Sequence, residues 1–188
     1  MSAHPQAQDV LDFWFGQPPA NWFRKNAAFD ADIRARFGAT IDLALAGGLR
    51  AWDDQGTTGP LARILVLDQF TRNAWRATPM SFAGDALALA AATKLVDSGA
   101  DERLAPQQRS FAYLPFEHAE DAAMQERAVA LFTKLAAQHD GFADSLAYAQ
   151  RHASVIARFG RFPHRNAILE RVSTPEETAF LAEPGSGF

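Results

Sequence analysis

The sequence predicts an all-α protein, an irregular array of about seven to nine helices joined mostly as antiparallel hairpins. Three observations carry this expectation. Apolar residues recur at helical spacing through several long segments. Prolines and glycines fall where such helices would start and stop. No segment sustains the period-two alternation of a strand between turn pairs. With 188 residues the chain is expected to form one domain over 1–188, long enough for a full hydrophobic core.

The elements follow in order. Phe13-Trp-Phe15 and Trp22-Phe23 make an aromatic opening that reads as packing rather than as a base-stacking platform. Phe29, Ile33, Phe37, Ile41 and Leu45 recur every four residues, a stripe on one helix face that Gly47-Gly48 stops. After a loop over 53–59, Pro60 belongs to the first turn of a helix carrying Leu61, Ile64, Leu65 and Leu67 into Asp68. Pro79 precedes an Ala/Leu-rich helix that runs to about Val96, with Gly99 as its cap. Pro106 opens another helix, with a break expected near Pro115. An amphipathic run from Glu120 to Gln138 follows, with Met124, Val129, Leu131, Phe132 and Leu135 apolar. The next helix spans Ala143 to Arg158 and ends at Gly160. Thr174-Pro-Glu-Glu177 is a capping box that starts a last helix running to about Ala182, before an extended tail from Glu183 to Phe188.

Composition narrows the function classes. Apolar residues make up 48% and charged residues 21%, as in ordinary globular proteins, and the formal net charge of −4 opposes bulk attraction to nucleic acid or an anionic membrane. The absence of cysteine rules out disulfides and Cys-based zinc sites, and suits a cytoplasmic location. The opening residues lack the basic and apolar regions of a signal peptide. Ala86 to Ala92, the richest apolar tract, is too short to span a bilayer.

The most informative motif occurs twice. Arg161-Phe-Pro-His-Arg-Asn-Ala-Ile-Leu169 is echoed by Gln69-Phe-Thr-Arg-Asn-Ala-Trp75, with the Phe residues 92 positions apart (162 − 70) and no regular repeat between them. Both set Arg and Asn among large apolar side chains, where a charge needs a partner or a ligand. Between them lies the carboxylate-rich Leu114-Pro-Phe-Glu-His-Ala-Glu-Asp121. From Arg151 to Arg171 the only acid is Glu170, against Arg151, Arg158, Arg161, Arg165, Arg171, His152 and His164. Such windows either neutralise each other or leave cations for an anionic ligand.

Chemistry-bearing motifs are otherwise few. Asp68 and Arg72 stand four apart as an intrahelical pair, with Arg72 capping carbonyls or meeting a planar acceptor. The acids around His118 lack the paired Glu-x-x-His motifs of a helical-bundle di-metal site, so no metal is expected. Instead Glu120 and Asp121 suit a helix N-terminus, while Glu117 and His118 suit a buried pair. His118 beside carboxylates is expected to favour its charged form, and His164 beside Arg165 its neutral form. No nucleophile elbow, phosphate loop or dinucleotide fingerprint is present, and no cofactor is expected.

With these residues laid out, the chain resembles a bacterial family known only as domain of unknown function 924. The matching pieces are Val10-Leu-Asp-Phe-Trp-Phe-Gly16, Trp22-Phe23, Phe29-Asp30, Arg36-Phe-Gly38, Leu67-Asp-Gln-Phe70 with Arg72-Asn73, and Tyr113-Leu-Pro-Phe-Glu-His118 with Glu120-Asp121. Further on come Arg151-His152, Arg158 to Asn166, and Ser173-Thr-Pro-Glu-Glu177. The resemblance implies a tetratricopeptide-like helical fold and no established reaction. Thr71 replaces the family's usual proline, Ala119 its serine, and Glu170 and Val172 its Gly and Glu. A hydroxyl function at position 119 is therefore absent in this member.

Two functions are weighed beside a purely architectural role for the polar set. The first is a non-enzymatic module that binds a small anionic ligand or a partner segment through Arg72, Asn73, His118, Arg158, Arg161, His164, Arg165 and Asn166. The second is a metal-independent hydrolase, lyase or isomerase on a small anionic substrate. There Glu117 is the base and His118 or His164 the acid, while Arg72 and Arg165 hold the anion.

Overall fold

Every regular element in the computed structural model, which describes residues 5–187, is helical. Residues 1–4, Phe188 and the side chain of Phe23 lie outside the described residues, and with them parts of the readings of the opening and the tail. The α-helices are α1 (Ala7–Phe15), α2 (Ala20–Phe23), α3 (Ala27–Leu45), α4 (Thr58–Leu65) and α5 (Thr71–Ala74). They continue as α6 (Asp85–Asp97), α7 (Pro106–Glu117), α8 (Ala122–Gln138), α9 (Ala143–Phe159) and α10 (Pro175–Leu181). None is long and apolar enough to cross a membrane. The architecture is all-α, as the periodicity predicts. Two compact units form, Met1–Arg76 with Met80–Pro115, and Ala77–Pro79 with Phe116–Phe188.

The first unit is built on aromatic packing. The predicted stripe becomes the inner face of α3, with Phe29, Ile33, Phe37 and Ile41 buried. Asn26 starts that helix by accepting the amides of Ala28 and Phe29. The opening supplies the facing rings: Trp14 is fully buried and meets Phe111 edge to face, centroids 5.5 Å apart at 84°. Trp22 approaches the same ring at 5.2 Å and donates its indole N–H to the Trp14 carbonyl at 2.9 Å. Pairs of this geometry add about 0.5–1.5 kcal/mol each beyond their buried area. The aromatic opening is therefore core.

The helix predicted after Pro60 is longer than expected and unevenly wound. Between α4 and α5, Val66–Phe70 takes a π turn, and all five of its residues are buried, Asp68 completely. The Thr71 hydroxyl donates to the carbonyls of Leu67 and Asp68 at 2.8 and 3.2 Å, where the wider winding leaves acceptors. The start of α6 packs here as well. A Cβ on Gly84 would stand 2.0 Å from the Leu67 carbonyl oxygen, so the close approach demands glycine.

In the second unit α8 packs against α9. Asp121 caps α8 by accepting the Met124 amide at 3.0 Å, and Gly160 ends α9 at a positive φ of 69°. The buried line of α8 is Gln125, Ala128, Phe132 and Leu135, narrower than the apolar set read from the sequence and with a polar member. The capping box of α10 is complete: Glu177 N–H donates to Thr174 Oγ1 at 3.1 Å, and Thr174 N–H to Glu177 Oε2 at 2.8 Å.

Two local expectations are corrected. Helix α7 does not break at Pro115 but ends two residues later at Glu117, because losing one amide donor so near a terminus costs little of the helix. The tail is not extended. It turns at Gly185, whose carbonyl accepts from Arg151 Nη2 at 3.0 Å.

Gly84→Ala is expected to destabilise the protein by about 1–3 kcal/mol, because the clash is with backbone that no rotamer can relieve. A chemical-denaturation midpoint checks this, and an unchanged midpoint refutes the close-approach argument.

Candidate functional site

Each candidate cation is best read through what it touches. In the first unit Arg72 Nη1 lies 3.0 Å from Asp68 Oδ1, and its two terminal nitrogens bridge Asp85 at 2.8 and 3.1 Å. Burial is the strongest single influence on this guanidinium and opposes its charge. Asp68 and Asp85 together outweigh it and hold Arg72 above its ordinary pKa. Asn73 Nδ2 donates to Asp30 Oδ1 at 2.9 Å, and Arg76 clasps the same carboxylate at 2.5 and 3.0 Å.

The second unit repeats that chemistry. Glu177, 2% exposed, receives Arg161 at 2.6 and 2.8 Å and Asn166 Nδ2 at 3.2 Å. The two halves of the sequence echo thus share one purpose, an Asn amide and an Arg fork satisfying a buried carboxylate. The Arg161 hydrogen bonds are the main reason the Glu177 carboxyl falls to about 2. Arg158 meets Glu176 at 3.0 Å on the exposed surface and lies over the rings of Phe159 and Phe180. Arg171 bridges Glu120 at 2.7 and 2.9 Å and donates Nε to Asn166 Oδ1 at 2.9 Å. Within the middle segment Glu120 is thus the residue that neutralises the basic window here, while Asp121 serves as a cap. Burial tends to raise the Glu120 pKa, but the Arg171 hydrogen bonds and the Phe162 amide bring it below the ordinary value.

A different cluster gathers around the Phe162 ring. Arg165, 7% exposed, lies with its guanidinium carbon 4.7 Å from the Phe162 centroid and donates Nη2 to the His118 carbonyl at 2.9 Å. His152 stands edge-on to Phe162 at 5.4 Å, His164 is 5.6 Å from the same ring, and the rings of His118 and His152 are 6.3 Å apart. His152 is buried, whereas His118 and His164 are half-buried and bring the cluster towards solvent.

The electrostatics keep two of these imidazoles neutral. Burial, helped by His118, His164 and Arg165, pushes His152 down to about 3 against the opposing hydrogen bond from Tyr148. Burial and the Arg165 charge push His164 down to about 4, in the direction expected from its neighbour. His152 Nδ1 is 2.9 Å from the Tyr148 carbonyl, an atom that can only accept, so Nδ1 carries the proton. Glu117 Oε1 lies 3.2 Å from that nitrogen, a contact to neutral imidazole rather than an ion pair.

Sequence reasoning missed two contributors. Gln125 Nε2 lies 2.7 Å from the carbonyls of both Glu117 and Ala119, holding the end of α7 in place. Its signal is a glutamine in register with the buried stripe of α8. His152 was legible only as a histidine distant in sequence, and its contact with Glu117 follows from the α9 backbone. No group of three or more potential ligands that could hold a metal occurs among the described residues.

An all-helical protein with paired buried charges and one histidine–arginine cluster is what fold and site together define. A family model described as bacterial protein of unknown function (DUF924) matches residues 10–185, and the chain belongs to that family. It is also similar to the structure of a protein of unknown function, ATU0120, from Agrobacterium tumefaciens. Identity is 41% over 94% of this chain and 96% of that one, with a TM-score of 0.85. No curated protein matches significantly.

Acid should weaken the fold in two windows. Neutral His164 and His152 lie below their ordinary value of 6.5, so the unfolded chain binds more protons as pH falls below that value, and stability declines towards pH 4. Glu177 adds a second loss as pH falls from 4.5 towards about 2. Thermal unfolding across this range checks the signs. His164→Gln should flatten the upper window, and Glu177→Gln the lower one.

Proposed function

We propose that the second unit binds a small anion, a carboxylate or a phosphate, through Arg165, His118 and His164. The observation that carries this is a buried guanidinium set among imidazoles, two of them held neutral, beside half-buried His118 and His164. Arginine offers the planar fork suited to such groups, and neutral imidazoles can donate or accept hydrogen bonds. Arg72, Asn73, Arg158, Arg161 and Asn166 take structural roles in this reading, since each binds a carboxylate. Glu117 and His152 form the floor, fixed by Gln125 and by the Tyr148 carbonyl.

Acid–base catalysis on the same anion is the second reading, and the contact of Glu117 with His152 favours it. The pKa values weigh against it. An imidazole with a pKa near 4, as His164 has, is protonated in roughly one molecule per thousand at neutral pH. General acids work best when their pKa lies close to the working pH. Turnover that survives Glu117→Gln combined with His118→Gln would eliminate this mechanism.

A thermal-shift screen with carboxylates, phosphates and nucleotides tests the binding reading. A ligand at a hundred times its dissociation constant stabilises by about 2.7 kcal/mol, a midpoint rise of roughly 5–10 °C for a chain of this length. The rise should disappear in folded His118→Gln and Arg165→Lys variants. A flat panel, or a rise indifferent to both changes, refutes the assignment.

A further inference from the structure

Charge around the cluster is balanced before any ligand arrives. Glu120 is matched by Arg171, Glu177 by Arg161, and exposed Glu176 by Arg158. The formal charges left facing the imidazoles are Glu117 at the end of α7 and Arg165 beside His164, one of each sign. Arg165 is thus a cation in a set whose sum is zero. A site removed from water does not take up a bare negative charge unless a compensating positive one accompanies it. Every arginine fork described around the cluster other than that of Arg165 already has a carboxylate to satisfy, which leaves the imidazoles as the groups able to change charge.

We infer that an anion enters this site together with a proton, which the cluster of His118, His152 and His164 takes up. The inference rests on the anion-binding reading and adds its regulation: affinity rises as pH falls. The geometry supplies the coupling, because the three imidazoles surround one phenyl ring and the His118 and His152 rings are only 6.3 Å apart. A positive charge on one discourages charge on the others, so the uptake is close to a single proton and not one for each imidazole. Glu117 and Glu120 favour that charge, while Arg165 and Arg171 oppose it. An arriving anion tips the balance by partly cancelling Arg165. His118 and His164 are the receivers, since both are half-buried, whereas His152 already commits Nδ1 to the Tyr148 carbonyl.

The test is calorimetric titration of the full chain with sulfate, which does not itself titrate near neutral pH, in buffers of different ionisation enthalpy. The expected result is uptake of about one proton per sulfate and a dissociation constant that rises about tenfold per pH unit above neutrality. Histidine ring signals in carbon–proton NMR spectra of the unsubstituted protein should move to protonated positions as sulfate is added, a readout that needs no variant to fold. Sulfate binding without proton uptake, or with ring signals unchanged, overturns the inference and leaves the binding reading standing. No binding of sulfate, phosphate or carboxylates overturns both.

Discussion

Carboxylates withdrawn from water decide where the arginines of this protein go. Asp30, Asp68 and Glu177 are each nearly or fully buried, and each is met by an arginine within hydrogen-bonding distance. Such pairs add little net stability over apolar residues of the same shape, yet losing one partner strands a charge in a dry interior. They therefore act as registers. Glu177 can satisfy Arg161, Asn166 and its own capping amide only if α10 and the 161–166 turn meet in one arrangement.

That constraint separates scaffold from site. An arginine clasped by a carboxylate has its fork occupied, so most of the basic window cannot serve a ligand without first breaking a structural contact. Arg165 differs in kind, lying flat on an aromatic ring with a backbone carbonyl at one edge and histidines around it. Around Phe162 the low pKa values of His152 and His164 describe a site poised for hydrogen bonding and for change of charge, and poorly poised for proton transfer at neutral pH.

Much of the fold was legible in the sequence. The four-residue stripe of α3, the Thr174 capping box and the stops at Gly99 and Gly160 depend on local chemistry, and the structure places them as read. The π turn was hidden, since Val66–Phe70 has the same apolar character as an α-helical run and nothing local marks the extra residue. The partners of the candidate residues were hidden for another reason. That Arg161 needs a carboxylate follows from its surroundings, but that this is Glu177 and not Glu117 or Asp121 depends on where distant segments return. The echo of Phe, Arg and Asn was visible as a pattern, and its meaning became readable only once both carboxylates were located.

The π turn has an evolutionary consequence. Each residue advances an α-helix by about 100°, so a single-residue deletion within Val66–Phe70 would restore regular winding while swinging everything after it by that angle. Arg72 and Asn73 would then face away from Asp85 and Asp30. A relative lacking one residue here must carry compensating changes at both acids, so the length of this segment should be inherited with them as one linked character.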